Sequence, residues 1–192
     1  MFKKSLLLST GLLKEEITFA DKQAFVDLIN VIYPPFEGHK YMELGIMTGL
    51  LKGAAHLFQS FHWQTGAKQF YGDHLLYERM YEELGELVDR MAEKAVAFSS
   101  GPVVSPSATV KVVAALVDTV ESKVFENKDV NAKKAHYTVK AVMHCMEILF
   151  ENLKQTNKVS LGIETVVADS VDKLEEFCYL ISRRNIGNTD VL

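Results

Sequence analysis

The chain has 192 residues, of which 48% are hydrophobic, and a formal net charge of −4, enough apolar content to bury a sizeable core in one domain. The acidic balance supplies no overall cationic field to hold a polyanion, which disfavours general DNA binding. No run of about 18 apolar residues marks a membrane span.

From the N-terminus, Lys3 and Lys4 lead into Ser5 to Leu13, an apolar stretch that is short, lacks a small-residue cleavage site and runs into Lys14-Glu15-Glu16. A cytoplasmic protein is expected rather than a secreted one. Thr18 with Asp21 predicts the cap of a first helix through Phe25, Leu28, Ile29 and Ile32. Pro34-Pro35 must end that helix, because proline lacks the donor and clashes with the preceding turn. A second helix is predicted after Gly38, with Leu44, Met47, Leu51, Ala55 and Phe58 spaced three and four apart, as far as Thr65-Gly66. A third is predicted from Ala67 to Phe98, with a seam of Met80, Leu84, Leu87, Met91, Ala95 and Phe98, before Ser99-Ser100-Gly101-Pro102 breaks it.

Ser105-Pro106 reads as a cap with proline at the first helical position, opening a shorter segment through Val110, Val113, Leu116 and Val120 to Phe125. This segment is expected to cross between bundle halves. Asp129 is the expected cap of the next long helix, with Ala135, Val142, Met146, Leu149 and Leu153 on one face and an end near Asn157. The last helix is predicted from Ser160 to Arg184, with Val167, Val171, Leu174, Phe177 and Ile181 inward. Cys145 and Cys178 stand apart without CxxC spacing, so buried reduced thiols are expected.

No alternating strand pattern interrupts these segments, and the fold is read as all-α. Four long helices in two hairpins joined by a long central connection form a ferritin-like four-helix bundle rather than an up-down-up-down one. A short helix occupies the connection and an extra helix precedes the bundle. Residues 1–38 are taken as an N-terminal extension and 39–192 as the bundle.

Chemistry concentrates between Phe61 and Glu93. His62 and His74 bracket the predicted turn, and the carboxylates Glu78, Asp89 and Glu93 follow on the third helix. Imidazole with carboxylate suits iron, manganese or zinc rather than softer metals. At about 100° per residue, Glu78 lies about 40° from His74, Asp89 about 60° and Glu93 about 100°, so all four share one helix face. The apolar seam points roughly 200° away, which argues against a metal site inside the bundle. Glu78 and Asp89 are about 16 Å apart along the helix, whereas ligands lie about 2 Å from a metal, so one helix cannot bring both to one centre. A second copy related by a two-fold axis would set Asp89 and Glu93 beside His74 and Glu78 of the first, with His62 completing the site. Gly85, within about 20° of His74, would let the partner helix approach.

A polar stripe opposite an apolar seam is also what any exposed amphipathic helix shows, and Glu82, Glu83 and Glu86 fit that description as solvated charges. His56, His136 and His144 lack a matching carboxylate cluster and are expected to be exposed or hydrogen-bonded. Trp63 is expected to be a packing anchor beside the turn.

These residues resemble the Dps family, the mini-ferritins. The family's His-Trp pair near the end of the first bundle helix recurs as His62-Trp63, and Gly66-Ala67 with Phe70 matches its turn. His74 takes the place of the second metal histidine and Glu78 that of an aspartate ligand. Asp89-Arg90-Met91-Ala92-Glu93 matches the closing Asp-x-x-Ala-Glu signature with one extra residue in the spacer. The resemblance implies a ferroxidase that oxidises Fe(II) with peroxide or oxygen at sites across two-fold interfaces, His62, His74, Glu78, Asp89 and Glu93 being the metal-binding and catalytic residues. It also implies a hollow dodecamer built on two-fold dimers, with ferric iron stored inside.

The chain departs from that pattern in several places. Glutamate replaces aspartate at Glu78, no lysine-rich tail precedes the bundle, the segment before Gly38 and the linker from Ser99 to Pro106 add to the usual core, and Cys178-Tyr179 stand where the family often carries tryptophan. Two other classes compete with the resemblance: a ferritin-like structural or binding protein without redox activity, and a nucleoid-compacting protein. The second would require Lys123, Lys128, Lys133 and Lys134 to form an exposed basic patch.

Overall fold

The computed structural model describes residues 18–66, 70–99, 103–125 and 130–186. Among these residues six helices follow in chain order: α1 (Phe19–Ile32), α2 (Met42–Gln64), α3 (Phe70–Phe98), α4 (Pro106–Ser122), α5 (Val130–Gln155) and α6 (Leu161–Ile186). A short 3-10 turn, Pro34–Phe36, follows α1. No strand occurs among the described residues, and none of their helices is long and apolar enough to cross a membrane.

The bundle consists of two hairpins, α2 with α3 and α5 with α6, and α2 also packs against α5. The predicted seams supply the shared core: Leu44, Met47, Leu51 and Phe58 of α2 and Met80, Leu84, Leu87, Met91 and Ala95 of α3 are buried. So are Ala135, Val142, Met146, Leu149 and Leu153 of α5 and Val167, Leu174, Phe177 and Ile181 of α6. Ala55 and Val171 lie at the edge of that core. Phe98, expected to end the α3 seam, is 37% exposed and packs on Tyr41 at 5.3 Å between ring centroids.

Both local caps form where the sequence places them. Thr18 Oγ1 accepts from the Asp21 amide at 3.1 Å and the Asp21 carboxylate accepts from the Thr18 amide at 3.3 Å, closing a capping box. Ser105 Oγ accepts from the Ala108 amide at 3.2 Å. Asp129 lies outside the described residues.

Every residue of α2 from Met42 to Leu51 is buried, because α4 and the chain leading into it cover the side that α3 and α5 leave open. Three glycines one turn apart permit this. A Cβ at Gly45 would sit 2.3 Å from the Val103 carbonyl oxygen, one at Gly49 2.6 Å from Val112 Cβ, and one at Gly53 2.9 Å from Leu116 Cδ2. The glycines also set the face of α4. Its buried side is Ala108, Thr109, Val112, Leu116 and Val120, whereas Val110, in the series read from sequence, points outward at 65% exposure. The helix ends at Ser122 rather than Phe125, since Lys123 is extended (φ −71°, ψ 119°).

The N-terminal helix is part of the packed structure. Phe25, Leu28, Ile29 and Ile32 join the main core as α1 lies against α4 and α5. Phe25 packs on Tyr137 at 5.3 Å and His144 at 5.7 Å. Lys123, just beyond α4, reaches Asp21 Oδ1 at 2.5 Å, so one carboxylate caps α1 and ties it to α4. Glu43, 1% exposed, accepts from Lys158 at 3.1 Å and Asn152 at 2.8 Å, which fastens the start of α2 to the α5–α6 turn.

Candidate metal centre

His62 sits in the last turn of α2 and His74 in the second turn of α3, and the α2–α3 turn folds one ring onto the other. Their centroids are 3.7 Å apart with planes 24° from parallel. His62 Nδ1 lies 2.9 Å from the His74 carbonyl oxygen, and His74 Nδ1 lies 3.2 Å from the His62 carbonyl oxygen. A carbonyl only accepts, so both Nδ1 atoms carry the proton and donate. With the proton on Nδ1, the neutral form of each ring carries its lone pair on Nε2, the tautomer a metal-binding histidine needs.

The same bonds satisfy a helix end. The His62 carbonyl is one of the last four of α2, which have no partner within the helix. It accepts from His74 Nδ1 and from Thr65 Oγ1 at 2.8 Å. Aromatic side chains enclose the pair: Phe70 stacks on His74 at 4.9 Å and Tyr81 meets His62 edge-on at 5.5 Å. Loss of water, followed by the negative charges of Glu78 and Glu82, raises the Tyr81 phenol above its ordinary pKa.

Glu78 lies one turn beyond His74 and is half-buried, while Glu82, Glu86, Asp89 and Glu93, all exposed, follow along the outer side of α3. Space above Gly85 is open, with nothing within 4 Å of a Cβ built there. Within the chain the structure thus brings His62 and His74 together and leaves Asp89 and Glu93 farther along the helix. Among the described residues no group of three or more His, Cys, Asp or Glu side chains could hold a metal ion. The donor set of the pair, two imidazoles with Glu78 one turn beyond His74, is one that Fe(II) accepts.

Thr65, Tyr81 and Asp73 are neighbours of the pair that the sequence reading left out. Only Thr65 and Asp73 carried a signal, by flanking the turn with short polar side chains able to bond backbone or a distant helix.

Trp63 corrects an expectation. It is 67% exposed and not a packing anchor within the chain, because one residue past His62 the α2 surface turns away from α3. Phe70, Tyr71 and Leu75, which flank His74 in sequence, are exposed as well.

Along α3 a ladder of ion pairs meets α6: Asp73 with Arg184 at 2.6 Å, Arg79 with Glu176, Glu83 with Lys173 at 3.0 Å, and Arg90 with Asp169 at 2.6 Å. Each candidate ligand His74, Glu78 and Asp89 is next in sequence to a rung of this ladder.

The other histidines lie away from this stripe. His56 is exposed. His136 is buried, with Nε2 3.2 Å from Ser182 Oγ, and His144 is 3.6 Å from Glu147. Cys145 and Cys178 are buried free thiols, and burial raises the pKa of Cys145. Of the lysines that a basic patch would need, Lys123 is paired with Asp21 and Lys134 with Glu121 at 2.6 Å. Lys128 lies outside the described residues.

No protein-family model and no curated protein matches the sequence. Among solved structures, the chain is similar to the Dps protein of Vibrio cholerae O1, described as a member of a broad superfamily of ferritin-like diiron-carboxylate proteins. The TM-score is 0.59 at 15% identity, covering 84% of this chain and 91% of that one. It is also similar to a mutant of Mycobacterium smegmatis Dps1, with a TM-score of 0.58 at 13% identity, covering 88% and 99%. An all-helical bundle with a crossing helix in its central connection, superposable over most of both chains, gives this protein the ferritin-like fold of the Dps proteins.

Proposed function

We propose that the protein is a Dps-like ferroxidase of the cytoplasm that binds Fe(II), oxidises it with peroxide or oxygen at sites shared between two copies of the chain, and retains ferric iron in a closed homo-oligomer. The observation that carries this reading is the reciprocal imidazole–carbonyl pair of His62 and His74. It fixes two Nε2 lone pairs at the head of a carboxylate stripe on the outer side of α3.

Fe(II) is the substrate. His62, His74 and Glu78 of one chain would receive it, and Asp89 and Glu93 of a second, antiparallel α3 would close the site. Carboxylate oxygens favour the ferric product, so the acidic half of the site assists loss of the electron. Each Fe(II) gives one electron, and a peroxide accepting two, with two protons, leaves two waters. The exposed carboxylates Glu82 and Glu86 would draw further cations along the same surface. The exposed apolar side chains of Trp63, Phe70, Tyr71 and Leu75 are suited to burial against the second copy.

A second reading has an observation of its own. The same two hydrogen bonds cap the end of α2, so the pair would also suit a ferritin-like structural or binding protein without redox activity. Anaerobic Fe(II) addition to the purified protein, then peroxide, separates the two. Ferric iron co-eluting with a large oligomer, at about two Fe(II) per peroxide, is expected of a ferroxidase. Iron precipitating as in a protein-free control would favour the structural reading.

A further inference from the structure

We propose that Arg184, in the last turns of α6, is a positioning residue for the His62–His74 pair, acting through Asp73. The inference rests on reading those histidines as metal ligands.

Between Phe70 and Leu76, the first two turns of α3, Asp73 is the one buried residue. Phe70, Tyr71, Gly72 and Leu75 are exposed, and the continuous core seam begins only at Tyr77. Of the other side chains there, Leu76 alone packs, partly buried, against the core, so hydrocarbon holds the turns that carry His74 less firmly than the rest of α3. Arg184 adds a second hold. Its Nε is 2.9 Å from Asp73 Oδ1 and its Nη2 is 2.6 Å from Oδ2, a fork-to-fork geometry that sets direction as well as distance.

The two side chains are 14% and 11% exposed, whereas Arg79 with Glu176 and Arg90 with Asp169 are 38% exposed or more. Exposed pairs of that kind contribute little. The buried rung of the α3–α6 ladder is the one beside the histidines. Because His62 Nδ1 donates to the His74 carbonyl and His74 Nδ1 to the His62 carbonyl, a rotation of this turn would lengthen both bonds. Neither ring would then be held in the Nε2-free tautomer and orientation.

Anaerobic Co(II) titration of the full-length protein tests this, read by the ligand-field absorption of the bound ion. Arg184→Met should weaken Co(II) binding about tenfold, the effect of losing a group that orients a metal histidine. Arg184→Lys, which keeps the charge and loses the fork, should recover part of the affinity, and His62→Ala should remove this binding. If Arg184→Met fails to fold, Asp73→Asn with Arg184→Met removes both charges together, leaves no unpaired buried ion, and should show the same loss. Affinity unchanged in the Arg184 variants but lost in His62→Ala overturns the positioning role, and so does a lowered melting temperature with wild-type affinity. Affinity unchanged in His62→Ala overturns the site reading, and the proposal with it.

Discussion

Val112 of α4 rests on the backbone of Gly49 in α2, so closely that a methyl group added to the glycine would lie 2.6 Å from the valine Cβ. Helix propensity favours alanine over glycine by up to about 1 kcal/mol, but overpacking a core contact costs about 1–3 kcal/mol. Val112 is fully buried and cannot move aside, so the steric cost is larger. Gly49→Ala is expected to destabilise the protein by about 1–2 kcal/mol in urea unfolding. Stability equal to or above wild type would mean that α4 can lift from α2.

Gly85 gives the opposite sign. Nothing lies within 4 Å of a Cβ there, so Gly85→Ala should stabilise the isolated chain by about 0.5–1 kcal/mol. A second α3 lying across this position would be pushed away by a large side chain. Gly85→Trp is therefore expected to keep the helical circular dichroism of wild type while the protein elutes at a smaller size. An unchanged elution volume would count against an interface at this face.

A site shared between two copies predicts complementation. His62→Ala and Asp89→Ala should each abolish rapid Fe(II) oxidation. Mixed through dissociation and reassociation, they form hybrid pairs in which one of the two sites draws its histidines and its carboxylates from intact positions. Random pairing of equal amounts should restore about a quarter of wild-type activity. A mixture as inactive as its components would argue for a site built within one chain.

Asp21 supplies a pH signature. Burial opposes its ionisation, but hydrogen bonds from Lys123 and Thr18 outweigh that and hold its pKa below the usual carboxylate value. The folded state thus binds the proton less readily than the unfolded one. Its contribution is complete above the unfolded pKa, near 4, and is lost as pH falls through the folded value. Asp21→Asn should cost about 1–2 kcal/mol at about pH 7, through the capping box and the Lys123 pair, and progressively less below about pH 4. A cost independent of pH would show that the carboxylate charge is not what holds α1 to α4.

What could be read from sequence was what is decided locally. Thr18 and Ser105 announce caps because their partners lie three residues on, and Pro34-Pro35 stop α1 whatever surrounds them. The seams of α3 and α5 repeat over many turns, so their inward faces follow from period alone. The face of α4 does not, because Gly45, Gly49 and Gly53, more than fifty residues earlier, decide which valines go inward. Trp63 was misplaced for a related reason: a large apolar side chain implies burial, but not whether the surface that buries it belongs to the same chain.

The histidines bracketing a turn were visible in sequence as a pair. Their exchange of carbonyls was not, since it depends on the angle at which two helices meet. Arg184 had no signal at all, standing 111 residues from Asp73.

The α3–α6 ladder also makes the bundle unequal in its response to its medium. Where α2 meets α3 the contact is hydrocarbon, whereas α6 adds to its buried apolar residues a row of ion pairs with α3 that responds to ionic strength. Added salt screens the exposed Arg90–Asp169 and Arg79–Glu176 pairs far more than the sheltered Asp73–Arg184 pair. In concentrated electrolyte the ion pair at the Arg90 end of the seam should therefore give way first while the one beside His74 stays closed, so that salt grades the seam from one end of α3 to the other.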